Sequence, residues 1–230
     1  MLFRQLFDWE SCTYTYLIAA DFGREAVIID PVKNNVNQYI QLIEQLNLKL
    51  VAALDTHLHA DHITAIGELS KNLNCQSMMG KQSQADCVSK RFIDKEVLKF
   101  DGFELKVLYT PGHTDDSYCF LMSDRVFTGD TLFIRGTGRT DFQHGDPGLA
   151  YDSLFGRLLT LPEKTLVYPA HDYNGMTVST IGEEQKFNPR LQVESREDYI
   201  ALMNNLNLPK PKLMDIAVPA NRKCGLIDKV

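Results

Sequence analysis

The sequence has few of the features that mark specialised classes of protein. Its 230 residues include one tryptophan, and no apolar stretch approaches the roughly 20 residues that span a bilayer. The net charge of -6 argues against a general nucleic-acid binder, which should be basic, and gives no reason to expect an anionic membrane as partner. With 44% apolar and 23% charged residues, the chain has the composition of an ordinary soluble globular protein.

The sequence also shows no recognisable targeting signal or paired-cysteine motif. Residues 1–10 lack the basic start and apolar core of a secretory signal, and they are not rich in Arg and Ser like a transit peptide, so a cytoplasmic location is expected. The five scattered cysteines form neither a disulfide framework nor a paired zinc motif, which predicts reduced thiols. Near the C-terminus, Cys224 is expected to be either an exposed reactive thiol or an idle surface one.

Short β-forming runs alternate with helical patterns along the chain. Thr13–Ala20 and Glu25–Asp30 are predicted strands that Gly23 separates. Further strands are predicted at residues 50–54, 76–79, 97–100, 103–109, 118–122, 125–128 and 165–168, and helices at about 36–48, 63–69, 149–159 and 197–206. This order predicts stacked sheets covered by helices in one domain, residues 1–230, with a C-terminal helix and irregular wrap from about residue 190.

The densest polar feature is the run His57-Leu58-His59-Ala60-Asp61-His62. It holds three of the six histidines of the chain, and it follows directly on a predicted strand. Imidazole and carboxylate groups are ligands of zinc, iron and manganese. Alternating residues of an extended segment point the same way, so His57 and His59 can share a target. The run therefore predicts a metal site.

Three further strands end in residues that can bind a metal. Residues 103–109 lead into Pro111-Gly112-His113-Thr114, residues 125–128 into Gly129-Asp130, and residues 165–168 into Pro169-Ala170-His171-Asp172. Loops at one edge of stacked sheets commonly assemble an active site. Four such loops favour a shared metal centre over four separate turn residues.

The four motifs HLHADH, PGHT, TGD and PAH together resemble those of the metallo-β-lactamase superfamily. The resemblance implies an α+β fold, an αββα sandwich of two mixed β-sheets flanked by helices, with the metal at one edge. The segments between and after these motifs resemble the persulfide dioxygenases, also called sulfur dioxygenases. They are residues 132–142, 170–173, 177–180, 188–190, 206–211, 218–221 and 224–225.

The dioxygenase resemblance implies one Fe(II) per chain, bound by His57, His113 and Asp130. It implies oxidation of glutathione persulfide by O2 and water to sulfite and glutathione. His59, Asp61, His62, His171 and Asp172 would then surround the iron without binding it, or they would hold a second metal.

The charges of glutathione suggest which residues bind it. Arg139 and Arg190 would pair with its carboxylates, because a guanidinium pairs bidentately with a carboxylate, and Arg222 is a further candidate. Asp141 would receive the ammonium group, and Tyr173 would offer a hydroxyl near the metal or the substrate. Arg139 and Tyr173 would act in catalysis. An alternative is that Arg139 and Asp141 only brace their loop.

Two other functions fit the same motifs. A glyoxalase II-like hydrolase would use two metals to hydrolyse a glutathione thioester, but no larger helical substrate domain is recognised after His171. A non-catalytic binding protein should have lost metal ligands, and none is missing. The expected partners are the persulfide and O2, a separate rhodanese and a second copy of the chain in a homodimer, with neither nucleic acid nor membrane.

Overall fold

The computed structural model describes residues 1–226 of the chain. Its backbone contacts define two compact units. Unit 1 comprises Met1–Phe92, Val97–Glu104 and the chain from Lys210 onward, and unit 2 comprises Ile93–Glu96 and Leu105–Pro209. Within residues 1–226, no helix is long and apolar enough to cross a bilayer.

Unit 1 is built on a six-stranded mixed sheet in the order β1-β2-β3-β4-β5-β6. Its strands are β1 (Leu2–Asp8), β2 (Thr13–Ala19), β3 (Glu25–Ile29), β4 (Lys49–Leu54), β5 (Gln76–Gly80) and β6 (Lys90–Phe92), and β7 (Val97–Phe100) follows. Its helices are α1 (Val36–Gln45), α2 (Ile66–Leu73) and α6 (Met214–Asn221). The first two pairs, β1–β2 and β2–β3, are antiparallel, whereas β3 to β6 run parallel.

The core of unit 1 forms between this sheet and its helices. Helix α1 buries Val36, Tyr39 and Ile43, which recur at the period of a helix face. They join Ile28 of β3 and Leu69 of α2 in one apolar cluster. Burying a large aliphatic side chain contributes about 1.5–3 kcal/mol, so this cluster fixes the parallel strands β3 and β4 in place.

Unit 2 contains a second mixed sheet and its own helices. Its strands follow the order β14-β13-β10-β9-β8. They are β8 (Phe103–Tyr109, within unit 2 from Leu105), β9 (Tyr118–Leu121), β10 (Arg125–Gly129), β13 (Leu166–Pro169) and β14 (Ser179–Thr180), with the hairpin β11 (Leu132–Phe133) and β12 (Gly136–Thr137). The helices are α3 (Pro147–Ser153), α4 (Ile181–Phe187) and α5 (Arg196–Asn204).

Each helix of unit 2 begins at a capping side chain. Asp146, Thr180 and Ser195 each accept a hydrogen bond from the backbone N–H three residues on, which satisfies a donor that a helix start otherwise leaves unpaired. Helix α3 continues into a π-helical turn, and both contribute to an apolar cluster that includes Leu154 and Tyr199.

The predicted fold class, two mixed sheets flanked by helices, is confirmed. The single-domain boundary stays a prediction. Strands β1, β6, β11, β12 and β14 and helix α4 were not predicted. Strand β1 lies at the sheet edge and is only partly buried, so its sequence lacks a clean alternation of apolar and polar residues.

The prediction of an irregular C-terminal wrap is wrong for residues 214–221. They form α6 with Pro219 inside it. A proline inside a helix removes one N–H donor, so the sequence of this segment argues against a helix. Buried contacts of Ala217 and Ala220 offset that cost. The predicted helix near residues 197–206 is confirmed as α5.

The prediction that all cysteines are reduced is also wrong. Cys87 and Cys224, which are 137 residues apart in sequence, form a disulfide. Cys224 is fully buried rather than exposed. Within residues 1–226, Cys12, Cys75 and Cys119 form no disulfide. Cysteine spacing carries no information about which distant cysteines meet in the fold.

Thiol titration checks this pairing. Protein denatured without reductant should show three reactive thiols, and five after reduction. In the native state Cys75 should react slowly, because burial raises the pKa of its thiol to about 11. The control C119S should lose one thiol under both conditions. Five thiols without reductant would contradict the disulfide.

Candidate metal centre

Strand direction places the polar residues of unit 1 at one sheet edge. Strands β3 and β4 are parallel, so their carboxyl ends meet, which is where open α/β sheets place their sites. Asp30 follows β3 directly, and the histidine run follows β4. The backbone N–H of Asp30 donates to the carbonyl of Leu54 at 2.8 Å, which ties the two strand ends together.

The Asp30 carboxylate is hydrogen-bonded to several groups at this edge. It accepts hydrogen bonds from Thr56 N at 2.7 Å and from Thr56 Oγ1 at 3.0 Å. His59 Nε2 lies 3.1 Å from Asp30 Oδ1. Burial raises the pKa of Asp30 above its ordinary value, against the opposing electrostatic influence of His57 and the Thr56 hydrogen bonds.

These contacts set the tautomers of two histidines. The single hydroxyl hydrogen of Thr56 is donated to Asp30, so Thr56 Oγ1 must accept from His57 Nδ1, 3.0 Å away. His57 Nε2 then keeps a lone pair. His59 donates from Nε2 to Asp30, because a carboxylate accepts only, and this leaves the lone pair of His59 on Nδ1. A carboxylate that fixes a histidine in this way is typical around bound metals.

A second pair in the same loop holds His62. Asp61 Oδ2 lies 2.8 Å from His62 Nδ1, and Thr13 Oγ1 lies 3.4 Å from each of these atoms. Among the described residues, His62 Nε2 is buried and has no hydrogen-bond partner. One ligand atom each from His59, Asp61 and His62 lies within 4.8 Å of the others, so this loop alone offers a three-residue metal-binding group.

Unit 2 brings three more predicted residues to one sheet edge. Strands β10 and β13 are parallel, and β8 runs in the same direction because β9 is antiparallel to both β8 and β10. His113, Asp130 and His171 therefore emerge together. His113 Nε2 lies 3.4 Å from Asp130 Oδ2, and His171 Nε2 lies 3.5 Å from Asp130 Oδ1. Within residues 1–226, Asp130 Oδ1 is buried with no hydrogen-bond partner.

The backbone around His113 is shaped by two glycines. Gly112 has a φ of +143°, and a Cβ there would lie 2.3 Å from Ala150 Cα. A Cβ on Gly138 would lie 2.0 Å from the carbonyl oxygen of Asp130 and 3.0 Å from His113 Cβ. This close approach brings the carbonyl of Arg139 to 2.7 Å from His113 Nδ1, which fixes that proton and leaves the lone pair on Nε2.

The chemistry of the donors fits a metal ion. In unit 1, His57 presents Nε2 with a lone pair. In unit 2, His113 does the same, and the buried Oδ1 of Asp130 has no hydrogen-bond partner among residues 1–226. A buried carboxylate without hydrogen bonds is costly unless it is paired or bound to a metal. Imidazole and carboxylate ligands suit iron, zinc and manganese. Unit 1 and unit 2 thus each hold groups suited to a metal.

Arg139 and Asp141 form a closed ion pair in unit 2. Arg139 donates to both oxygens of Asp141, at 2.6 and 2.7 Å, and its third nitrogen donates to the carbonyl of Pro209 at 2.6 Å. The guanidinium also lies 4.6 Å from the ring centre of Phe142. The ion pair lowers the pKa of Asp141. Both residues brace the loop that supplies the carbonyl to His113, and a role in substrate binding stays a prediction.

The other predicted substrate residues lie in different surroundings. Arg190 is half-buried and donates to the carbonyl of Thr137, and burial lowers its pKa. Tyr173 is exposed and its ring stacks on that of His171. Arg222 is exposed in unit 1 and donates to Gln84. Asp172 accepts from the N–H groups of Asn174 and Met176, so its observed contacts hold its own loop.

Several supporting residues were not found from the sequence. Asp30, Thr56 and Asn221 fix the histidine loop of unit 1, and Glu184 does the same for the β11–β12 hairpin of unit 2 by accepting from the N–H of Arg135 at 2.8 Å. The one signal for Asp30 is its position directly after a buried strand. The partners of Asn221 lie more than 150 residues away in sequence, and no local pattern reports them.

A family model confirms the class that the fold and these groups define. Residues 12–84 and 88–171 match the metallo-β-lactamase superfamily. The chain belongs to this superfamily.

Individual relatives narrow the assignment. The chain is 48% identical over 229 residues to "Persulfide dioxygenase ETHE1, mitochondrial" of Mus musculus, covering 98% of this chain and 89% of that protein. The human protein of the same description is 47% identical over the same shares. The crystal structure of ETHE1 from Myxococcus xanthus matches with a TM-score of 0.95 and 52% identity, covering 98% of this chain and all of that one. The protein is an enzyme of the persulfide dioxygenase family.

A hydrolase relative is more distant. A probable hydroxyacylglutathione hydrolase of Schizosaccharomyces pombe is 32% identical over 237 residues, covering 88% of this chain and 90% of that protein.

The close approach at Gly138 can be tested by substitution. G138A should force Asp130 and His113 apart, weaken metal binding by at least about 10-fold and lower the free energy of unfolding by roughly 1–3 kcal/mol. Metal content after dialysis and urea unfolding measure the two effects. The control G156A adds a methyl group where no atom lies within 4 Å and should change neither. Full metal content in G138A would contradict the proposed crowding.

Proposed function

We propose that the protein oxidises glutathione persulfide with O2 and water to sulfite and glutathione, using one Fe(II) per chain bound by His57, His113 and Asp130. One observation carries the proposal, in a chain nearly half identical to persulfide dioxygenases: Asp130 lies beside His113 through Oδ2, and its buried Oδ1 has no hydrogen-bond partner among the described residues. Two histidines and one carboxylate are the ligand set typical of non-haem Fe(II) oxygenases.

The chain's own groups prepare this site. Thr56 holds the proton of His57 on Nδ1, and the carbonyl of Arg139 does the same for His113. The unprotonated Nε2 of each histidine can therefore act as a metal ligand. Bound iron would supply electron transfer to O2 and open coordination positions, which zinc supplies only in part because it has no redox chemistry. Asp130 would contribute the negative charge that the two neutral histidines lack.

Substrate orientation is assigned to groups near this edge in unit 2. Tyr173 stacks on the buried His171 and is itself exposed, so we assign its hydroxyl to the persulfide. Arg190 and Arg139, with Arg222 of unit 1, are assigned to the carboxylates of glutathione, and Asp141 to its ammonium group. For Arg139 and Asp141 this requires substrate to replace the ion pair between them. In the reaction the outer sulfur is oxidised to sulfite as O2 is reduced, and glutathione leaves as a thiol.

A second candidate function is hydrolysis of a glutathione thioester by two metals. The group formed by His59, Asp61 and His62, with the unpartnered His62 Nε2, favours it. A metal-bound water would then be the nucleophile. The more distant relative described as a hydroxyacylglutathione hydrolase is in line with this alternative.

Metal analysis together with O2 uptake separates these functions. Protein purified without air should contain about one iron per chain and consume O2 only with glutathione persulfide, forming sulfite. H113A should lose iron and at least about 100-fold in activity, because the substitution removes a ligand. H144A is the matched control, since His144 is exposed and belongs to none of the metal-binding groups found in the described residues.

A different set of results would contradict the dioxygenase proposal. Two metals per chain, no O2 uptake and rapid hydrolysis of S-lactoylglutathione would overturn the dioxygenase proposal and support the hydrolase. The separate rhodanese, the homodimer and the cytoplasmic location stay predictions. Gel filtration of the purified chain tests the homodimer directly.

A further inference from the structure

Asn221 is the last residue of α6, and its side chain is almost fully buried. Its side-chain amide is hydrogen-bonded to the histidine loop. Asn221 Nδ2 donates to the carbonyls of His59 at 2.9 Å and His62 at 2.8 Å, and Asn221 Oδ1 accepts from the N–H of Thr64 at 2.9 Å. Two carbonyls require the NH2 end and one N–H requires the oxygen, so only one orientation of the amide fits.

The loop between β4 and α2 needs such a partner. Its buried residues 57–60 and 62 lie outside any strand or helix, and a buried carbonyl or N–H without a partner costs about 1–3 kcal/mol. Asn221 satisfies three of these backbone groups with one side chain, on both sides of Asp61. It thereby fixes the segment 59–64 at two carbonyls and one amide.

We infer that Asn221 is a positioning residue of the metal centre, acting through the backbone of segment 59–64; the inference rests on the proposed function only in taking this loop to serve a metal. The rings of His57 and His59 are 4.2 Å apart between centres, and those of His59 and His62 are 4.3 Å apart. A shift at the His59 carbonyl therefore reaches His57 in two ways: through direct ring contact, and through Asp30, which is bonded to His59 directly and to His57 by way of Thr56.

Asn221 can hold the loop because its own position is fixed. Three residues further on, Cys224 is bonded to Cys87, and its carbonyl accepts from the N–H of Gly67 in α2 at 3.2 Å. The carbonyl of Arg222 accepts from the N–H of Asp86 at 3.0 Å, and Lys33 Nζ donates to the carbonyl of Gly225. The residues that follow α6 are thus anchored within unit 1 to segments that precede and follow the histidine loop in sequence.

The test separates positioning from simple stabilisation. N221D keeps the shape and the acceptor for Thr64, but it replaces the two donors with an oxygen that faces two carbonyls. N205D is the matched control, because Asn205 is an exposed helix-end amide that donates to one backbone carbonyl. For each protein, Fe(II) affinity is measured without air by competition with a chromogenic chelator, and urea unfolding is measured with and without the metal.

A positioning role predicts that N221D weakens Fe(II) binding by about 10–100-fold and that added metal raises its unfolding midpoint less than that of the parent protein. N205D should match the parent in both. A purely structural role predicts a lower midpoint without metal and unchanged Fe(II) affinity, and that result would overturn the inference. If N221D does not fold, N221S, which restores a hydroxyl donor, is measured in the same way.

Failure of the proposed function is visible separately. A parent protein that binds no Fe(II) would contradict the iron proposal and leave Asn221 open to the same comparison with Zn(II). Weaker Zn(II) binding by N221D then supports the inference, and equal binding overturns it.

Discussion

The metal-binding edge of unit 1 depends on one buried carboxylate, that of Asp30. It accepts from the backbone and hydroxyl of Thr56 and from His59, and through Thr56 it determines which nitrogen of His57 carries the proton. Burial alone would favour its neutral form. The hydrogen bonds from Thr56 oppose this effect of burial, so Asp30 and the loop stabilise each other: the loop supplies donors to the carboxylate, and the carboxylate orders the histidines.

Strand polarity explains why these side chains reach the same edges at all. In unit 1 the parallel pair β3–β4 brings Asp30 to the histidine loop, and in unit 2 the shared direction of β8, β10 and β13 brings His113 and His171 to Asp130. Within unit 2 the hydroxyls of Thr110 and Thr131, directly after β8 and close after β10, are 3.0 Å apart. The sheet therefore brings these side chains to the same edge, and hydrogen bonds at the strand ends determine their detailed orientation.

The sequence predicts well which residues lie at the strand ends, and it predicts poorly the hydrogen bonds that orient them. The difference has a physical reason. Strands followed by Gly, Pro, His or Asp are local patterns, so the strand ends bearing His57, His113, Asp130 and His171 were identified in advance. Hydrogen bonds such as those from Asn221 to His59 and His62 join residues that are distant in sequence and leave no periodic trace. The disulfide between Cys87 and Cys224 was missed for the same reason, and helix α6 because Pro219 masks it.

The hydrogen bonds also bear on the choice between one metal and two. Asp61 Oδ2 is occupied by His62 Nδ1, so Asp61 supports His62 as a carboxylate supports a ligand histidine, and among the described residues His62 Nε2 has no hydrogen-bond partner. The loop therefore has groups suited to a second metal, although its sequence relatives include persulfide dioxygenases. Such nitrogen and oxygen donors bind zinc more tightly than Fe(II). The donor groups of this loop alone thus do not distinguish oxidation from hydrolysis, and it is the similarity to persulfide dioxygenases over nearly the whole chain that favours oxidation.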